Sequence, residues 1–440
     1  MYTGEEELYA VYLRHPLIQI DSRKVVAGDL FVGLSGTQVQ GNVFAARALD
    51  AGAAYAIVDD PSVVPAGDTR YLLVPDSLVA LQNLAREHRR RHRMPVLAIT
   101  GSNGKTTTKE LVLAVMSRRY RVHATPGNYN NHLGLPLTVL STPPLTEMTI
   151  LEMGANHQRE IAELCDIGRP THGLVTNVGE AHLEGFGGIE GVIAGKGELY
   201  DYLADTGGVA FVNADEDHLT AMAANCSRII FYQESEAPAR EVPAMEVRLL
   251  RTHPYIEVAI LNEAGEEVPC RVQLSGKHNF QNVKAAIGVG KYFKVPTQEI
   301  VRALEGYRSD NHRSQLLTHR NVHFYWDAYN ANPSSVEAAL TGFAVDHPPA
   351  TAVVILGEML ELGEAAPAAH RRVALRAGQT ARTVLLVGDA MREVAREFER
   401  PWFPDSHALA EWFWAQDWTD KTVFVKGSRG NKLEVLLANK

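Results

Sequence analysis

Cysteine is scarce in this 440-residue chain: Cys165, Cys226 and Cys270 stand far apart, with no CxxC pair. An odd, dispersed set excludes a disulfide framework and a thiolate metal site. No apolar run reaches the ~20 residues needed to span a bilayer. Met1 is followed by the acidic stretch YTGEEELYAVY, where a signal peptide would carry positive charge. These absences predict a cytoplasmic protein without membrane insertion. Positive charge is also short, since 43 Lys and Arg face 52 Asp and Glu for a net charge of -9. That balance argues against a nucleic-acid partner. The basic run REHRRRHR at 86–93 is the local exception and reads as a solvated helix end or linker.

What the chain does contain is ordinary for a soluble globular protein, with 45% hydrophobic and 22% charged residues. At roughly 100–200 residues per domain, its length allows two to four domains. Three blocks are expected, 1–83, 84–308 and 309–440, with Met94-Pro95 opening the central pattern. The first mixes short apolar runs at 30–34, 54–58 and 71–74 with helical spacing in NVFAARALDAGA, a small α/β module. In the second, strand-like runs at 96–99, 148–153, 173–178 and 209–213 alternate with helical patterns, which predicts a mostly parallel sheet. YIEVAIL and VPCRVQL, around the turn NEAGEE, read as an antiparallel hairpin at its edge. The third block alternates again through VHFYW, AVVIL, TVLLVG and TVFVK, with helices near 334–344 and 368–380. It predicts a second open sheet of Rossmann-like type.

The segment ITGSNGKTTTKELV, 99–112, misses the common phosphate-loop pattern by one residue, with Ile99 where glycine is usual. Gly101, Gly104, Lys105 and Thr106 remain, between a buried strand and a helix with Leu111, Val112, Val115 and Met116 on one face. In that context backbone N–H groups and a helix N-terminus point at phosphate. Lys105 would neutralise the β/γ-phosphates, and Thr106 could reach magnesium. A glycine turn with a surface lysine is the bland alternative. Glu152 and His182 each follow a strand, where doubly wound folds place functional groups; either could equally be structural. Lys196 in IAGKGELYDYL reads most simply as a surface helix lysine. Asn128, Asn130 and Asn131 sit in a turn-rich loop. Asn279 and Asn282 share a helical face at i,i+3 and could meet an adenine edge or cap a helix. DAYNANPSS and KGSRGNK are loops after strands of the third block.

Taken in order, these segments resemble the Mur ligase superfamily, the ATP-dependent ligases that assemble the stem peptide of peptidoglycan. TGSNGKTT is similar to that superfamily's TG[TS]NGKT loop, in which threonine, here Thr100, heads a shorter glycine loop. DSRKVVAGDLFVGLSG, GNYNNHLGLPL, LEMGANHQREI, NVGEAHLEGFG, GKHNFQNVKAA, DAYNANPSS, LGEMLELGE and KGSRG resemble the member that adds D-alanyl-D-alanine, over residues 20 to 432. The resemblance implies an N-terminal UDP-sugar-binding domain, a central P-loop-type ATP-binding domain and a C-terminal Rossmann-like domain. ATP would lie on Thr100, Gly101, Ser102, Asn103, Gly104, Lys105, Thr106 and Thr107. Asn279 and Asn282 would meet its adenine, and Arg313 and Asp327 its phosphate and ribose.

By the same resemblance, Mg2+ would be held by Thr106, Glu152, His182 and Lys196, the last as a carbamate. Lys105, Glu152, His182 and Lys196 form the implied catalytic set. Asp21, Ser22 and Arg23 belong to the UDP-sugar site, and Asn128, Asn130, Asn131, Tyr329, Asn330 and Asn332 to the substrates. Those substrates would be UDP-N-acetylmuramoyl-tripeptide and D-alanyl-D-alanine, joined through an acyl phosphate by a monomer. The alternatives are another Mur-type or folylpolyglutamate-type ligase, or a non-catalytic ATP-binding switch.

Overall fold

The computed structural model describes residues 2–36, 39–235, 244–309 and 315–438. Three sheets organise them. The first runs β1 (Ile18–Gln19), β2 (Leu30–Val32), β3 (Tyr55–Val58), β4 (Tyr71–Leu73), paired in parallel and in chain order. Its short strands bury apolar triplets such as Leu30–Val32 on both faces, as crossover sheets require.

The second sheet has nine strands. They are β5 (Val96–Thr100), β6 (Val122–Ala124), β7 (Met148–Glu152), β8 (His172–Val175), β9 (Val209–Asn213), β10 (Ile229–Glu234), β11 (Ala244–Arg251), β12 (Ile256–Leu261) and β13 (Glu267–Val272). They lie in the order β13-β12-β11-β10-β9-β8-β5-β7-β6. The strands from β6 to β11 pair in parallel, and β11-β12 and β12-β13 are antiparallel, so the expected edge hairpin is present. Every residue of β5 and β7 is buried. Period-2 alternation sends Leu97 and Ile99 to one core and Val96 and Ala98 to the other. The second of these cores is continuous with the first domain through Leu8, Tyr12 and Leu30.

The third sheet comprises β14 (Gln315–His319), β15 (Val322–Asp327), β16 (Ala352–Gly357), β17 (Thr383–Val387), β18 (Trp402–Phe403) and β19 (Thr422–Lys426), in the order β14-β15-β19-β16-β17-β18. Only β14 is antiparallel to its neighbour. The chain is therefore the three-domain α/β protein expected. Short β6, β14 and β18 carried no strand signal in the sequence.

Two local expectations are corrected. A division at 83/84 would cut an unbroken helix, Ser77–Arg90, whose N-cap Asp76 accepts from Val79 N. Nor is the basic run solvated throughout, because His88 and Arg89 are buried. Arg89 Nε donates to Gly168 O at 3.0 Å and its guanidinium to Arg169 O at 3.2 Å, while Arg86 pairs with Asp166 at 2.6 Å. The guanidinium satisfies carbonyls left open where the Glu160–Gly168 helix ends.

Candidate active site

β5 has β8 on one side and β7 on the other, so the loop after it opens at a switch in strand order. Gly101 and Gly104 take positive φ, 139° and 77°. A side chain at either would collide: a Cβ on Gly101 would lie 2.0 Å from Thr176 Oγ1, and one on Gly104 2.4 Å from Asn282 Oδ1. The Lys105–Met116 helix follows directly, burying Leu111, Val112, Val115 and Met116. Lys105 Nζ donates to Gly101 O at 2.6 Å and Ser102 O at 3.3 Å, folding the lysine back over its own loop. Asn177 fixes the loop's crest, its Oδ1 accepting from Asn103 N at 3.0 Å. Thr100 is fully buried behind the loop.

Glu152 ends β7 beside this loop and is 2% exposed. Its Oε1 accepts from Thr106 Oγ1 at 3.1 Å and Asn130 Nδ2 at 2.8 Å. Oε2 has no hydrogen-bond partner and lies 3.8 Å from Lys109 Nζ. A buried carboxylate oxygen without a donor, next to a threonine hydroxyl, is a donor set that suits a hard divalent cation. Among the described residues no group of three His, Cys or carboxylate side chains converges. The Thr106 and Glu152 oxygens therefore fit Mg2+ only where phosphate oxygens and water complete the shell.

His182 lines the same cleft, but its Nδ1 lies against the Glu361 carboxylate of the third domain without hydrogen-bond geometry. Burial holds this imidazole below the usual histidine range, although Glu361 pulls the other way. The surface reading of Lys196 fails, since the side chain is 1% exposed. Its Nζ donates to Ala155 O at 3.1 Å and sits 4.8 Å from the centre of the Phe186 ring. Burial first, and then the charge of Lys105, hold the Lys196 amine well below the lysine range.

The third domain closes over the loop. Asn332 Nδ2 donates to Asn103 Oδ1 at 2.8 Å, Asn103 Nδ2 donates to Ser334 Oγ at 3.2 Å, and Arg372 pairs with Glu180. Between the domains lies a cleft of about 760 Å³. It brings together Ser102 to Thr107, Asn128, Asn130, Asn131, Glu152, His182, Asn279, Asn282, Asp327, Tyr329 and Asn330. Asp327 is held by Lys426 Nζ at 2.6 Å.

Other expected residues either lie elsewhere or, within the cleft, are tied up in bonds of their own. Asn332 does not line the cleft, because its side chain caps the Pro333–Asp346 helix and braces Asn103. Asn131 accepts from Leu133 N and Gly134 N, a turn's own bonds. Asn282 Nδ2 donates to Asn279 Oδ1 at 3.1 Å, and Asn282 Oδ1 accepts from Thr108 Oγ1 at 3.1 Å, so Asn282 braces the helix that follows the phosphate loop and Asn279 holds Asn282. Asp21, Ser22 and Arg23 stand apart in the first domain, where Arg23 pairs with Asp21 at 2.8 Å. Arg313 lies outside the described residues.

Sequence reasoning missed Lys109, Asn177, Glu361 and Lys426. Lys109 had a signal, since it stands one helical turn after Lys105, on the same face. Glu361 lies within the quoted LGEMLELGE, but nothing local tied it to His182, which it reaches across a domain boundary.

Comparison with known proteins agrees with this architecture. Three family models tile the chain: "Mur ligase family, catalytic domain" over residues 16–97, "Mur ligase middle domain" over 99–290 and "Mur ligase, glutamate ligase domain" over 312–429. The chain belongs to the Mur ligase family. Among its relatives, the UDP-N-acetylmuramoyl-tripeptide--D-alanyl-D-alanine ligase of Treponema pallidum (strain Nichols) is 35% identical, over 95% of this chain and 92% of its own. The Bacillus subtilis (strain 168) protein of the same name is 34% identical, over 80% and 76%. A crystal structure of MurF from Acinetobacter baumannii superposes with a TM-score of 0.85 at 26% identity, covering 99% of this chain and 97% of that one.

Proposed function

We propose that this chain is an ATP-dependent ligase that joins D-alanyl-D-alanine to UDP-N-acetylmuramoyl-tripeptide, acting as a monomer in cytoplasmic peptidoglycan precursor synthesis. The observation that carries the reading is the cleft itself. It sets a phosphate loop and a half-satisfied carboxylate on the central domain against the polar DAYN loop of the third. Relatives bearing that name, matched over most of both chains, support it.

A carboxylate resists attack by an amine because its charge repels the nucleophile. In the proposed reaction a tripeptide carboxylate oxygen attacks the γ-phosphorus of ATP, a P–O bond forms, and ADP leaves with the electron pair of the broken bond. The dipeptide's amine then attacks the acyl carbon and loses a proton as the C–N bond forms. The tetrahedral adduct collapses and expels phosphate. Loop N–H groups from Ser102 to Thr106 and the Lys105 ammonium would hold the ATP phosphates, which supplies positioning and charge neutralisation. Thr106 and Glu152 would hold Mg2+, which when bound offsets the charge gathering on the phosphate oxygens. Asn130 keeps Glu152 turned toward the loop. Lys196, whose amine burial holds well below the lysine range, would add carbon dioxide with loss of a proton to become a carbamate, an anion in place of an ammonium.

The test is phosphate release from purified protein. It should require ATP, Mg2+, UDP-N-acetylmuramoyl-tripeptide and D-alanyl-D-alanine together. Equal turnover with free L-amino acids would sink the assignment.

A further inference from the structure

Two buried lysines of this chain hydrogen-bond the carboxylates beside them, Lys284 to Asp215 and Lys426 to Asp327. A third, Lys109, stands differently. It is 3% exposed, and its Nζ lies 3.8 Å from Glu152 Oε2, inside ion-pair range but beyond a hydrogen bond. The ammonium donates instead to Thr125 O at 2.9 Å. Glu152 Oε2 is left without a hydrogen-bond donor. The pair is matched in charge while the oxygen stays open.

Both members are held in that arrangement. Lys109 follows Lys105 by one turn of the Lys105–Met116 helix. Thr125, just past β6, ties the two together, because its carbonyl takes Lys109 and its Oγ1 accepts from Glu152 N at 2.9 Å. Thr125 is itself buried, and its N donates to Ile150 O at 3.0 Å. Glu152 cannot close the gap without leaving Thr106 and Asn130, nor Lys109 without leaving Thr125.

A buried carboxylate is costly without a counter-charge, and Lys109 supplies one from within the protein. The same ammonium acts on any ion that enters beside it, opposing a cation and favouring an anion. In a site shielded from water, one unit charge a few ångströms away changes an ion's affinity by about tenfold or more. We infer that Lys109 is a positioning residue acting through Glu152: it neutralises that carboxylate without occupying its free oxygen, so that the divalent cation enters with the ATP phosphates rather than ahead of them. The inference rests on the ATP-dependent ligase reading above.

The experiment makes two titrations of the whole protein. One uses Mn2+ in place of Mg2+, with and without β,γ-methylene-ATP, read by electron paramagnetic resonance. The other uses the same analogue with EDTA, read by calorimetry. Without nucleotide, Lys109→Met should bind Mn2+ about tenfold or more tighter than wild type, and Lys109→Met/Glu152→Gln should lose that gain. The metal-free analogue should bind Lys109→Met about tenfold or more weaker. Lys109→Arg keeps the charge and should resemble wild type in both titrations. Opposite signs for cation and anion mark a charge effect, since a merely structural loss would weaken both. Lys109→Gln repeats the comparison where Lys109→Met does not fold. A charge-removing variant that binds Mn2+ no tighter than wild type would overturn the inference. So would wild type that binds Mn2+ as tightly without the analogue as with it, a measurement for which no variant need fold. Wild type that binds neither the analogue nor Mn2+ in its presence would overturn the ligase reading as well.

Discussion

Glu152 and Lys105 show how single side chains at this site are held ready. Glu152 spends one oxygen on Thr106 and Asn130 and keeps the other without a hydrogen bond. Lys105 rests on carbonyls of the loop it would serve, so its removal leaves no buried charge behind. Lys105→Ala should therefore fold normally yet lose ~2–4 kcal/mol of transition-state stabilisation, the range for removing one preorganised charged group. Phosphate release should fall by roughly a hundredfold or more with an unaltered circular dichroism spectrum; near-normal turnover would refute the phosphate role. Lys196 supports a different expectation. Its amine is held well below the lysine range, so it stays neutral at pH values where an ordinary lysine is charged. Protein equilibrated with labelled carbon dioxide should give a carbamate carbon resonance that Lys196→Ala lacks. That signal should decline as pH drops through the lowered pKa and the amine protonates. An unlabelled, fully active enzyme would rule the modification out.

At the scale of elements, the phosphate loop depends on helix-to-helix contact more than on its own glycine count. Gly104 is the N-cap of the Lys105–Met116 helix at φ 77°, and Asn282, from the Lys277–Tyr292 helix, fills the space a side chain would need. Gly104→Ala should cost about 1 kcal/mol for the left-handed backbone alone. It should further displace Asn282 and its bonds to Thr108 and Asn279. Urea unfolding should show the loss of stability, and ATP binding by calorimetry should weaken at least tenfold. Tight binding with only a stability change would mean that Asn282 does not shape the nucleotide site.

Across the whole molecule, several histidines are shielded from solvent enough to lower their pKa. Burial pushes His88, between Tyr9, Tyr12 and His92, down to about 4. His172 and His278, in the central domain, are likewise lowered to about 4, chiefly by burial. A histidine lowered on folding binds fewer protons in the native state than in the unfolded chain. Its contribution is therefore present above the unfolded value near 6.5 and is lost as pH falls toward 4. The protein should lose stability steeply between those limits, before carboxylate protonation dominates. His88→Gln should flatten the decline, seen as a smaller drop in urea midpoint from pH 7 to pH 4.5. An equal drop in both proteins would remove His88 from the account.

The sequence by itself determined what rests on short-range patterning. Apolar strands alternating with amphipathic helices dictated three α/β units, because burying both faces of a parallel sheet needs those runs. Gly101, Gly104 and Lys105 were legible as a phosphate loop because backbone freedom, helix N-terminus and charge all lie within five residues. Only tertiary structure decided what long-range contacts control. It buried Lys196, which local spacing had left at the surface, because the loop bearing Ala155 and the helical turn bearing Phe186 both pack against it. It turned Asn332 into a helix cap and a brace for Asn103, and moved the basic helix end at 86–93 onto the carbonyls of a neighbouring helix. It also brought Glu361, Lys426 and Arg429 opposite a loop more than 200 residues earlier. Charge partners across a domain boundary leave no periodic trace, so only the folded chain can reveal them.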